Sequence, residues 1–186
     1  MTYDINLLNK AIILATQTHN IRTRKGDKRP YILHPLSVAK RIFDNGFDRP
    51  YLKAIVAVLH DLVEDEFKDN YEAGFKLIED NFGAEVLALV KELTLDKAKY
   101  QLLGKDEYLL QELSHMSDDA LDIKLCDRLD NVEEMDSMDE SFQIYYTRHT
   151  KFIFDNLQRE LSQKQQKLVD DIKKVINKYS AIHNLA

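Results

Sequence analysis

The sequence predicts an all-α fold, and three observations carry that expectation. Only five glycines and three prolines punctuate 186 residues, whereas a β-rich chain of this length needs many more tight turns. Apolar residues recur at helical spacing in segment after segment. One segment, residues 52–63, is apolar around nearly its whole circumference, which marks a buried central helix.

In chain order, a first helix is expected over about 6–18, with Leu7, Leu8, Ala11, Ile12 and Ala15 on one face. A basic loop follows, with Arg22, Arg24, Lys25, Lys28 and Arg29, closed by Pro30. Pro35 suits the first turn of a second helix, buried along Leu36, Ala39, Ile42 and Phe43. Asp48-Arg49-Pro50 reads as the cap and start of one long helix over about 51–66. Helices at 71–81 and 84–93 meet near Gly83, and the polar segment 94–107 is expected to be a connection to a helix over 108–115. Ser117-Asp118-Asp119 caps a helix over about 120–135, and the remainder reads as one or two helices. No internal repeat or linker breaks the pattern. The expectation is a single domain over 1–186, with a motif-bearing core at about 7–146 and C-terminal helices at about 142–186.

Formal net charge is -6, which argues against nucleic acid as a partner. A small anion remains possible, because local cations or a metal can invert the field inside a cleft. A single cysteine, Cys126, forms no internal disulfide and fits a reducing compartment. The N-terminal residues do not resemble a secretory signal. No stretch approaches the ~18 apolar residues of a membrane span. A cytoplasmic protein without a membrane partner is expected, and its oligomeric state stays open.

Chemistry concentrates at the end of the central apolar segment, in His60, Asp61, Glu64 and Asp65. On a continuous helix these side chains share a face. Burying ionised groups unpaired is costly, and a divalent metal neutralises them most compactly. An isolated His-Asp pair reads equally as the wet end of a helix. Two distant residues shift the balance. His34 precedes Pro35 at a loop-to-helix junction, and Asp127 lies on a polar stripe with Lys124 and Asn131, apart from Leu121, Leu125, Leu129 and Val132. Taken alone, the histidine is an ordinary surface or capping residue and the stripe a solvated face. Together, two histidines and two aspartates suit Mn²⁺, Fe²⁺ or Zn²⁺ better than Ca²⁺.

Four blocks make a resemblance specific: Arg24-Lys25, Pro30-Tyr31-Ile32-Leu33-His34-Pro35, His60-Asp61-Leu62-Val63-Glu64-Asp65 and Lys124-Leu125-Cys126-Asp127-Arg128-Leu129-Asp130-Asn131. In order and spacing the chain resembles the HD-domain superfamily, and within it the hydrolase domain of the RelA/SpoT family and its stand-alone small alarmone hydrolases. The resemblance implies an HD-domain helical bundle with the metal site between helices. It implies that His34, His60, Asp61 and Asp127 bind one divalent metal, Mn²⁺, and that Glu64 and Asp65 handle the attacking water. Arg24 and Lys25 would lie along the nucleotide and Asn131 would contact its sugar. Lys97 is a further candidate for offsetting phosphate charge. The implied reaction removes pyrophosphate from the 3′ position of guanosine tetra- or pentaphosphate. Arg22, Lys28 and Arg29 are expected to be solvated.

Glu133-Glu134 follows Asn131-Val132 where nucleotide-binding members carry Arg and Thr. That keeps open an HD phosphohydrolase acting on another nucleotide, as a 5′-nucleotidase or a nucleotide pyrophosphatase. A nucleotide-sensing module without turnover is the alternative of a different class; the intact Glu64-Asp65 pair speaks against it.

Overall fold

Helices form wherever the apolar spacing asks for them. The computed structural model describes residues 2–19 and 21–185. Among these residues no strand forms, and one backbone bridge joins Thr23 to Pro30. The helices are α1 (Ile5–Thr18), α2 (Leu33–Asp44), α3 (Pro50–Leu59), α4 (Leu62–Glu66), α5 (Tyr71–Phe82) and α6 (Ala84–Leu93). They continue as α7 (Lys97–Leu103), α8 (Lys105–His115), α9 (Asp118–Glu133), α10 (Glu140–Asn156) and α11 (Gln163–Ile182), with a 3₁₀ turn at Glu134–Ser137. Asp4 accepts from the Asn6 and Leu7 amides to start α1, and Ser117 accepts from the Ala120 amide to start α9. Ser162 and Gln165 form a reciprocal capping box on α11.

α3 is the central helix, buried from Leu52 to Leu59 and packed against α1, α2, α6 and α9. α9 in turn packs against α2, α6 and α11. The core therefore runs through α3, which stops at His60, and α9, which carries Asp127 and Asn131. Even the polar Lys53 is only 1% exposed; its ammonium lies 2.6 Å from Asp48, 3.0 Å from Asp119 and 2.7 Å from Asp122.

Five local expectations are corrected. The single helix over 51–66 is broken at His60–Asp61, where α3 stops and α4 begins. There the His60 Nδ1–H donates to the Ala57 carbonyl at 2.7 Å, while Asp61 sits at φ -93°, ψ -6°. Asp48 does not cap α3. Arg49 is the cap residue, left-handed at φ 51°, as the clash of Pro50 with its predecessor disfavours right-handed α there. The segment 94–107 is no plain connection, because Asp96 caps the short α7 through the Ala98 and Lys99 amides. The helix expected to begin at 108 begins at Lys105. Phe43 leaves the buried stripe and is 41% exposed, edge-on to Tyr51, while Val38 takes the inward position.

Candidate active site

The break at His60–Asp61 faces the start of α2 and the middle of α9, so three elements converge. The Nε2 atoms of His34 and His60 and a carboxylate oxygen of Asp127 all lie within 4.8 Å of one another. His34 Nε2 is 3.2 Å from Asp127 Oδ1, and His60 Nε2 is 3.9 Å from the same oxygen. Asp61 stands outside that closest set, beside it, with Oδ2 3.1 Å from His60 Nε2 and accepting from the Tyr31 hydroxyl.

The tautomers follow from the outer partners. A carbonyl can only accept, so His60 carries its hydrogen on Nδ1 and turns the Nε2 lone pair inward. That Nε2 is buried and has no hydrogen-bond partner. His34 Nδ1 lies 2.7 Å from Asp130 Oδ2, and Asp130 is fixed by the Ser37 hydroxyl and by Arg41 at 3.2 Å. Imidazoles oriented from behind by an acceptor, with their Nε2 atoms gathered beside carboxylates, suit a divalent cation. The orphaned His60 Nε2 is the observation that makes the residues fit such an ion.

The electrostatics match. Burial would lower the His34 pKa, yet the Asp127 and Asp130 carboxylates outweigh it and push it up to about 9. Asp127 is held well below the usual carboxylate range: burial opposes this, and Lys124, 3.0 Å away, prevails with the two histidines. The two acids on α4 diverge. Glu64 Oε1 accepts the Leu95 amide at 2.6 Å, and burial raises its pKa. Asp65 Oδ1 pairs with Arg22 at 2.7 Å. Burial first and the Asp61 charge second push Asp65 up to about 6, against the pull of Arg22.

A cavity of about 380 Å³ opens beside Asp65, lined by Arg24, Lys25, Tyr31, Asn131 and Phe142 among others. The basic loop reaches it as a tight hairpin, with Arg24 N–H donating to the Arg29 carbonyl and Tyr31 N–H to the Arg22 carbonyl, both at 2.9 Å. Gly26 permits this approach, since a Cβ there would lie 2.7 Å from the Ser137 carbonyl oxygen. Arg24 and Asn131 meet directly, Nη2 donating to Oδ1 at 2.9 Å. Lys97 lies elsewhere: its ammonium donates to the Lys68 carbonyl at 2.6 Å over the Tyr71 ring, in a separate cavity of about 630 Å³.

Several functional neighbours escaped the sequence reading. Glu134 accepts from Arg24 at 2.8 Å and Arg29 at 2.9 Å, and Glu133 from Arg41 at 2.5 Å. The acidic pair is thus matched by three guanidinium groups, and Arg22 and Arg29 are paired rather than simply solvated. Tyr31 and Asp130 lay inside the quoted blocks. For Asp130 a signal existed, its three-residue offset from Asp127 on α9; for Tyr31 none did.

Residues 11–164 match the model of the HD domain family. The chain is 35% identical over 138 residues to the guanosine-3′,5′-bis(diphosphate) 3′-pyrophosphohydrolase of Xenopus tropicalis, covering 73% of each protein. It is 33% identical over 130 residues to the enzyme of the same description from Aquifex aeolicus, covering 69% of this chain but only 18% of that one. Among solved structures it is similar to a metazoan ortholog of SpoT described as hydrolysing ppGpp. The TM-score is 0.77 at 26% identity, covering 94% of this chain and 97% of that one.

Proposed function

This chain belongs to the HD domain family, and from that premise we propose that it is a metal-dependent guanosine-3′,5′-bis(diphosphate) 3′-pyrophosphohydrolase working as a single domain. One observation carries the reading: two inward imidazole nitrogens and Asp127 converge beside Glu64 and Asp65, next to a cavity lined by Arg24, Lys25 and Asn131. The similarity to 3′-pyrophosphohydrolases over 138 residues supports the choice of substrate.

His34, His60 and Asp127, with Asp61 beside them, hold one divalent ion of the Mn²⁺ class. When bound, such an ion polarises a phosphoryl oxygen and acidifies water. The chain's own residues do the rest. Asp65, whose pKa is pushed up to about 6, accepts the proton of the attacking water near neutral pH. Glu64, fixed by the Leu95 amide, orients that water. Arg24 presents a planar cation to the base and Lys25 a compact charge to phosphate. Asn131, tied to Arg24 and to Asp127 at 2.6 Å, meets the sugar. Water attacks the phosphorus bonded to O3′, the P–O3′ bond breaks, O3′ takes up a proton from solvent to become the 3′-hydroxyl, and pyrophosphate departs.

The test is a nucleotide panel incubated with Mn²⁺-loaded protein and resolved by chromatography. Pyrophosphate and GDP from guanosine tetraphosphate are expected. Turnover of another nucleotide with guanosine tetraphosphate untouched overturns the substrate assignment and favours the alternative that Glu133-Glu134 kept open.

A further inference from the structure

Arg128 is a buried cation with no carboxylate partner among the described residues. Its residue is 5% exposed, and among the described residues Nη1 is buried without a hydrogen-bond partner. No carboxylate of the described residues lies within ion-pairing distance of it; the guanidinium instead stacks over the Tyr146 ring, 5.0 Å from its centre. Taking a cation out of water without a counter-charge costs several kcal/mol, roughly, even after local relaxation. A fold keeps such a group only where something compensates it.

The position of Arg128 says what that is. On α9 it lies one turn beyond Lys124, next to Asp127 and three residues before Asn131, so the four share one arc of the helix. Lys124 and Arg128 are like charges at i, i+4, which is unfavourable in isolation. Tyr146 on α10 stacks on Phe142, which lines the cavity beside Asp65. Burial raises the pKa of its hydroxyl, so the phenol keeps its proton and can donate. Nearby, burial and then the Arg128 charge push the His149 imidazole down to about 4, so that neighbour adds no charge of its own.

We propose that Arg128, Lys124 and the Tyr146 hydroxyl form an anion subsite on the α9–α10 wall of the cleft, which takes a phosphate group of the nucleotide. The inference rests on the phosphohydrolase reading, from which it borrows the polyanionic substrate. The guanidinium fork donates to two phosphate oxygens, the ammonium adds a point charge, and the phenol donates a hydrogen bond.

Binding of inorganic pyrophosphate to the Mn²⁺-loaded protein, by calorimetry, tests it together with thermal unfolding. Arg128→Met is expected to weaken pyrophosphate by about tenfold or more, while Tm stays level or rises because a buried unpaired cation has been removed. Arg128→Lys restores part of the affinity. Should Arg128→Met not fold, Arg128→Gln, a shorter neutral side chain that keeps an N–H donor, is read in its place. Wild-type affinity in the neutral variant, with or without a lower Tm, overturns the subsite and leaves Arg128 a packing residue; so does wild-type protein that does not bind pyrophosphate. Loss of pyrophosphate binding in a protein inactive on guanosine tetraphosphate keeps the subsite and removes the substrate assignment.

Discussion

Arg24 Nη2 lies 2.6 Å from Glu134 Oε2, joining the basic hairpin to the turn that follows α9. The cation assigned to the nucleotide base is therefore positioned by an acid that itself repels the phosphates. Glu134→Gln keeps an acceptor for Arg24 and removes the charge. The KM for guanosine tetraphosphate should fall about threefold or more with kcat unchanged. A higher KM in steady-state kinetics would mean that the charge of Glu134 is needed to hold Arg24.

Metal and proton compete for His34. Its pKa in the metal-free protein is pushed up to about 9 by Asp127 and Asp130 despite burial, so it is protonated at neutral pH. Ion uptake must release that proton, and apparent affinity should weaken about tenfold per unit as pH falls below that value. Chelator competition at several pH values measures it; a flat profile would sink the ligand role of His34. In the same assay His60→Ala and Asp127→Ala should lose the ion, and Asp130→Asn should weaken it roughly 10–100-fold by freeing the His34 ring.

Asp65 sets the acid limb of the pH–rate profile. It must be ionised to accept a proton, and its pKa is pushed up to about 6 by burial and Asp61 while Arg22 opposes. Arg22→Met removes the opposing cation, raises that pKa and moves the limb of kcat/KM to higher pH by about half a unit or more. A limb that stays in place assigns it to another group. Asp65→Asn should keep the metal and slow turnover about 10²-fold or more.

Stability away from the site depends on Lys53. Its ammonium is surrounded by Asp48, Asp119 and Asp122, and although burial opposes it, these acids raise its pKa above the ordinary value. Lys53→Met leaves Asp122 buried beside no cation and should cost about 3–5 kcal/mol in denaturant unfolding. Because the folded pKa is raised, the contribution is complete below the ordinary lysine value of about 10.4 and fades only as pH climbs through the folded one. Because Asp122 loses the cation that holds its pKa down, the deficit should grow, not shrink, as pH rises toward about 9. A loss under about 1 kcal/mol would show that the acids are solvated in the variant.

The sequence by itself determined an all-α chain, most of its helical segments and which of them is wholly buried. Helical periodicity states how each segment divides between oil and water, and that division is local. It also set His60 and Asp61 apart as polar residues at the end of an apolar run, whereas His34 and Asp127 stood out only through the resemblance. Only the tertiary structure decided how these groups meet. The break between α3 and α4 depends on the His60 ring taking the Ala57 carbonyl, a choice with no periodic trace. The pairing of Arg24 with Glu134, 110 residues away, and the lack of a hydrogen-bond partner for Arg128 Nη1 among the described residues follow from how α9 lies against its neighbours. Ion pairs and metal ligands act over a few ångströms, and helix packing, which no single segment encodes, sets those distances.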